Sequence, residues 1–172
     1  GQEFTNVVAQ VAGANSALPP LLLGGHYDSA GPFPGASDNA SGVAVLLAVA
    51  KILSSQQLDR TVIFAFFDAE EPPHFLQSSM GSIRFYEAYL QGNVHCGIVL
   101  DIVGHDVPVP GLEDVLFITG MESDPSLARI IRQCEPTSGI RTVPTLNNYV
   151  GDMSDHHVFR INRHPYLLLT CG

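Results

Sequence analysis

The stretch LLLGGHYDSAGPFPGASDNASGVAVLLAVA, residues 21–50, decides the fold. An apolar run that reads as a buried strand over residues 20–24 stops abruptly at two glycines, His26 and Asp28. A loop rich in glycine and proline follows. Asp38 then opens a run of alanine, valine and leucine that reads as a helix over residues 38–53, with the acid favourably placed at its start. A strand, a loop carrying polar residues and a helix form the repeating unit of an α/β protein.

The same alternation extends outward in both directions. Apolar, β-rich runs occupy residues 6–11, 61–67, 97–100, Val115–Thr119 and Tyr166–Thr170. Several are continuous rather than alternating, as expected of strands covered on both faces. Residues 80–90 carry Ile83, Tyr86 and Leu90 at helical spacing, and residues 126–134 follow Asp124-Pro125, a cap and first-turn signal. The expectation is an α/β fold: a three-layer α/β/α sandwich around a central, mostly parallel mixed sheet. Residues 107–114, VPVPGLED, read as a loop.

Composition narrows the function. The 172 residues fit one domain, residues 1–172, with a substantial core: 45% are hydrophobic and only 15% charged. Seventeen acids against eight bases give a formal charge of −9, which argues against a nucleic-acid partner. No apolar run approaches the roughly 20 residues of a membrane helix, so no membrane segment is expected and GVAVLLAVA reads as a core helix. Gly1 opens directly into a strand-like segment without a signal-peptide pattern, and the compartment stays open. Cys96, Cys134 and Cys171 permit at most one disulfide and show no CxxC spacing, and read as core thiols.

The polar residues are unevenly placed. His26 and Asp28 follow one strand, Glu70 and Glu71 follow TVIFAFFDA, and Asp101 follows CGIVL. The C-terminal ends of strands in an open α/β sheet share one edge, where ligands bind. Acids gathered there repel one another unless a cation lies between them. Asp28, two residues beyond His26, can accept one ring N–H and leave the other nitrogen for metal. In DAEEP, one carboxylate can hold a metal while its neighbour takes a proton from water. GDMSDHHVFR offers a further imidazole, His156 or His157, between which composition does not choose. His74, His95, His105 and His164 lack comparable placement. Two divalent ions against three ligand carboxylates leave one positive charge, which a hydroxide neutralises, so a pair of ions about 3.5–4 Å apart is favoured over one.

The series GGHYDS, GASDNASG, DAEEP, LDIVG and SDHHVF resembles the co-catalytic zinc aminopeptidases, the family of bacterial leucyl aminopeptidases, with related domains in glutamate carboxypeptidase II and the transferrin receptor. The resemblance implies a zinc-dependent exopeptidase with two zinc ions and a peptide substrate bearing a free N-terminus. It implies that His26 and Asp101 bind one zinc and Glu71 and His156 the other, with Asp38 bridging. Glu70 is then the general base and Asp28 the support of His26. Tyr149 is a candidate contact near the scissile carbonyl. Two departures accompany the resemblance: EEPPHFLQSSMGS replaces a shorter glycine-rich link, and the chain is shorter than expected at both ends. A single-zinc glutaminyl cyclase and a silent metal-binding domain of the same fold are the alternatives. Relatives of this kind are often exported, which tilts the expected location outward.

Overall fold

The computed structural model describes residues 3–105, 109–134 and 139–172. Residues 107 and 108 of the loop read from VPVPGLED lie outside the described residues. The strands are β1 (Val7–Val11), β2 (Leu21–His26), β3 (Val62–Phe67), β4 (Cys96–Leu100), β5 (Val115–Thr119), β6 (Arg141–Thr145) and β7 (Tyr166–Thr170). The helices are α1 (Gly42–Leu53), α2 (Gly81–Phe85), α3 (Pro125–Gln133), α4 (Asn147–Val150) and α5 (His157–Ile161).

All seven strands join one mixed sheet in the order β1-β3-β2-β4-β7-β5-β6. The central pairs β3–β2, β2–β4 and β4–β7 are parallel, while β1 and β5 pair antiparallel with β3 and β7. Burial on both faces explains the continuous apolar runs. On β3, Ile63, Ala65 and Phe67 enter one core with Leu22, Val99, Phe85 and Phe159. The alternate residues Val62, Phe64 and Phe66 enter a second core with Leu23, Leu46 and Leu100. Each such side chain contributes about 1.5–3 kcal/mol relative to leaving it in water.

Register aligns the strand ends that matter. Leu21 of β2 stands opposite Val62 of β3 and Cys96 of β4, so the three strands run level and finish together. His26 pairs with Phe67 at that edge, and the Asp101 N–H bonds the Leu169 carbonyl of β7 at 3.1 Å. Asp28, Glu70, Glu71 and Asp101 therefore leave the sheet side by side.

Several local expectations change. The helix expected from residue 38 begins at Gly42, because Asp38 (φ −112°, ψ 92°) and Asn39 (φ −132°, ψ 35°) are non-helical within a wide turn over Ala36–Ser41. The Asn39 side chain, not Asp38, takes the Gly42 amide at 3.2 Å. Nor is α1 a core helix. Only Gly42 and Leu46 are buried, whereas Val45, Leu47 and Ile52 are 42%, 55% and 63% exposed. Ala36–Leu53 has a mean hydropathy of 1.4, enough by length and composition to cross a membrane. The helix itself is 12 residues, about 18 Å against the ~30 Å of a bilayer core.

The helix expected over 80–90 is α2 continued by a wide turn, Tyr86–Leu90. The α3 start is as expected, with Asp124 Oδ1 accepting the Ser126 N–H at 2.7 Å. Strand β6 is unannounced in sequence: it is short, polar and interrupted by Pro144, which its position at the sheet edge tolerates. Cys96 and Cys171 are buried, but Cys134 is exposed and not a core thiol.

Candidate metal centre

His26 ends β2 with only 1% of its surface exposed. Its Nδ1 faces Asp28, 3.1 Å from the backbone oxygen and 3.4 Å from Oδ1. Its Nε2 faces three further acids: Asp38 Oδ1 at 3.0 Å, Asp101 Oδ1 at 3.3 Å and Glu70 Oε2 at 3.9 Å. Asp28 does more than support the ring. Its two carboxylate oxygens accept the N–H groups of Glu70 at 3.1 Å and Glu71 at 3.0 Å, which fixes the chain leaving β3. Ala69 (φ 55°) and Ile102 (φ 50°) turn the backbone off β3 and β4 beside these acids. Left-handed backbone in non-glycine residues is uncommon and clusters at functional sites.

Ligand atoms of His26, Asp38 and Asp101 lie within 4.8 Å of one another, as do those of His26, Glu70 and Glu71. Asp38 stands between the two groups, lining one cleft with Glu71. Glu70 and Asp101 are buried, while Asp38 and Glu71 are half-buried. A cleft of about 330 Å³ opens beside the latter pair, walled by Ala30, Phe33 and Pro34.

His156 is in neither group. Its Nε2 lies 3.1 Å from both Asn147 Oδ1 and the Gly151 carbonyl, two acceptors, so this nitrogen carries the proton. The lone pair at Nδ1 is then buried without a hydrogen-bond partner. Burial holds the ring neutral by pushing its pKa down to about 4. His157 pairs with Asp152 instead, Nδ1 to Oδ2 at 2.9 Å. Tyr149 stands on α4 with 79% of its surface exposed.

Sequence reasoning misses Asp155, which is completely buried. Neither of its oxygens has a well-formed hydrogen bond, the Ser82 hydroxyl being a neighbour. The available signal is an acid directly before His156 in SDHHVF, next to the apolar Val158 and Phe159.

These residues fit a cation. Glu71 Oε1, both Asp155 oxygens and His156 Nδ1 are buried without hydrogen-bond partners. Among the described residues, none of the acids Asp28, Asp38, Glu70, Glu71, Asp101 and Asp155 has a lysine or arginine ion-pair partner. A donor set of carboxylate oxygens and imidazole nitrogens suits zinc. The ionisation of the cluster shows the same need. Burial opposes a charge on His26, but its bonds to Asp101 and Asp28 outweigh that and raise its pKa to about 12. Burial, then the charge of Asp155, pushes Glu70 up to about 9. Burial also raises Asp38 and Glu71, helped by Asp101 and Asp38 respectively. Asp28 moves down: bonds from His26 and the Glu71 and Glu70 amides outweigh its burial.

A pH dependence follows for the metal-free protein. His26 rises from 6.5 and Glu70 from 4.5, while burial lowers His156; above about pH 6.5, where His156 is neutral in both states, and up to about pH 9, the folded state binds more protons than the unfolded one. Stability then falls as pH rises. Thermal melts of chelator-treated protein should show Tm dropping from about pH 6.5 to 9, and saturating zinc should flatten the slope. A Tm that climbs over this range without metal contradicts the crowded, proton-sharing cluster.

The sequence profile of Peptidase family M28 matches residues 6–170. The chain is 36% identical over 197 aligned residues to the uncharacterized protein YfbL of Escherichia coli (strain K12), a match covering 99% of this chain and 60% of YfbL. It is 30% identical to a probable zinc metalloprotease of Pyrenophora tritici-repentis, covering 95% of this chain and 36% of that protein. Among solved structures, BSAP, a zinc aminopeptidase from Bacillus subtilis, superposes with a TM-score of 0.72 at 21% identity, over 96% of this chain and 39% of BSAP. The LapA aminopeptidase of Legionella pneumophila gives 0.74 at 20% identity, over 97% and 44%. At such identities the superpositions establish the α/β fold. The chain spans 60% or less of the length of each of these proteins. Apart from YfbL, they carry protease or aminopeptidase names, which does not favour the cyclase alternative.

Proposed function

The chain belongs to Peptidase family M28, and from that premise we propose that it is a zinc-dependent aminopeptidase, cleaving the first peptide bond of substrates with a free N-terminus. The observation that carries the reading is the convergence of His26, Asp38 and Asp101 with the Glu70–Glu71 pair where three parallel strands end. In this reading His26 and Asp101 hold one zinc ion, Glu71 and His156 the second, and Asp38 stands between them. The neutral, unclaimed lone pair of His156 Nδ1 supports its inclusion. Bound zinc supplies Lewis-acid polarisation of a carbonyl and a lowered pKa for water.

The chain's own residues do the rest. Asp28 faces the His26 ring with its backbone oxygen and holds the Glu70 and Glu71 amides with its carboxylate, so ligand and base are set by one residue. Glu70 is buried beside the ligand group, 3.9 Å from His26 Nε2, where it can take a proton from the attacking water and return it to the departing amine. The cleft beside Asp38 and Glu71, with its Phe33 and Pro34 walls, suits an apolar substrate side chain.

A panel of chromogenic aminoacyl amides tests this proposal. Hydrolysis of free-amine substrates should be abolished by a chelator, restored by zinc and absent for N-acetylated analogues. Zinc uptake with no hydrolysis of any member would turn the assignment toward a silent binding domain.

A further inference from the structure

Asn39 sits beside Asp38 with 1% of its surface exposed, and its amide reaches three backbone groups. Nδ2–H donates to the Leu100 carbonyl at 2.9 Å, while Oδ1 accepts the N–H groups of Gly42 at 3.2 Å and Ile102 at 3.3 Å. Leu100 and Ile102 flank Asp101, and Gly42 begins α1. One amide therefore ties the segment bearing Asp38 to the segment bearing Asp101. Ser41 adds a parallel tie: its Oγ accepts the Val103 N–H at 3.2 Å and donates to the Ser37 carbonyl at 2.6 Å.

The backbone is shaped around this amide. A Cβ at Gly42 would stand 2.3 Å from Asn39 Oδ1, and one at Gly25 would stand 3.1 Å from Nδ2 and 2.6 Å from the Leu100 carbonyl. The last glycine of GGH and the glycine closing ASDNASG thus leave room for one side chain. Two carboxylates 3.0 and 3.3 Å from the same His26 nitrogen depend on the spacing of the two backbone segments that carry them, and the Asn39 amide spans those segments.

We infer that Asn39 is a positioning residue, fixing the Asp38 and Asp101 carboxylates about His26 Nε2 through the Leu100, Ile102 and Gly42 backbone, so that the site is assembled before the ion arrives. The inference rests on the metal-site reading proposed above. Supports of this kind are worth about 10–100-fold in metal affinity when removed.

The test is a zinc titration against a chromophoric competitor, together with the visible spectrum of the cobalt-substituted protein. It compares the unmodified chain with Asn39→Ala and Ser41→Ala. Asn39→Ala should weaken zinc binding about 10–100-fold and alter the cobalt spectrum, although every ligand remains. Ser41→Ala, the milder change should Asn39→Ala not fold, should shift both readouts in the same direction by less. A purely structural role would lower Tm yet leave affinity and spectrum unchanged. Unaltered affinity and spectrum in the folded variants, with metal bound normally by the unmodified chain, would overturn the clamp alone. An unmodified chain that takes up neither metal would remove the metal site itself, and the clamp's purpose with it.

Discussion

Glu70→Gln should leave the metal content of the protein unchanged and lower turnover of an aminoacyl amide by about 10²–10⁴-fold, the usual worth of a positioned general base. The replacement keeps the size of a side chain that is 4% exposed. It also keeps the backbone, because the residue 70 amide is held by Asp28 Oδ1 and not by its own side chain. What it removes is the ability to carry a proton. Burial and the charge of Asp155 already make Glu70 a stronger base than an ordinary carboxylate in the metal-free protein. Zinc analysis beside steady-state kinetics separates the two effects. Wild-type turnover in the variant would take Glu70 out of the chemistry, and lost zinc would make it a ligand.

The second large effect belongs to Asp38. Its carboxylate lies 3.0 Å from His26 Nε2 and lines one cleft with Glu71, and in the proposed site it is the acid shared by both halves. Asp38→Asn preserves shape and removes charge. On the proposed two-ion site, bound zinc should fall to one ion per chain or none, and amide hydrolysis should drop to background. Stability should move the opposite way when metal is absent, because burial and the Asp101 charge both work against an ionised Asp38. Melts in chelator should place the Asp38→Asn variant at a higher Tm than the unmodified protein, and melts in zinc at a lower one. A variant that keeps two ions would end the bridging role.

Much of this architecture is readable in the chain because burial on two faces leaves an unmistakable trace. VIFAFF can be continuous only if Phe64 and Phe67 face opposite cores, and both do. The acids at strand ends are legible for the same reason: Asp101 after GIVL has no structural task that a buried strand would give it. Other features depend on contacts that no local pattern records. RTVPT forms a strand only because an edge position spares Pro144 a hydrogen bond. The α1 helix starts at Gly42 because the Asn39 amide claims that N–H, a bond that makes sense only with Leu100 and Ile102 nearby. Asp28 reads in sequence as a partner of His26, but its hold on the Glu70 and Glu71 amides spans more than forty residues and has no local signature. His156 is singled out only through family resemblance, and its ring engages Asn147 and Gly151 rather than joining the groups around His26.

The most direct measurement is anomalous diffraction at the zinc absorption edge from a crystal of this chain equilibrated with zinc. One peak is expected at bonding distance from His26 Nε2, Asp38 and Asp101, about 2.0–2.2 Å from each ligand atom, and a second within reach of Asp38, Glu71 and His156. Fully occupied zinc elsewhere on the chain, with none within reach of His26 and Asp101, would contradict the proposed site.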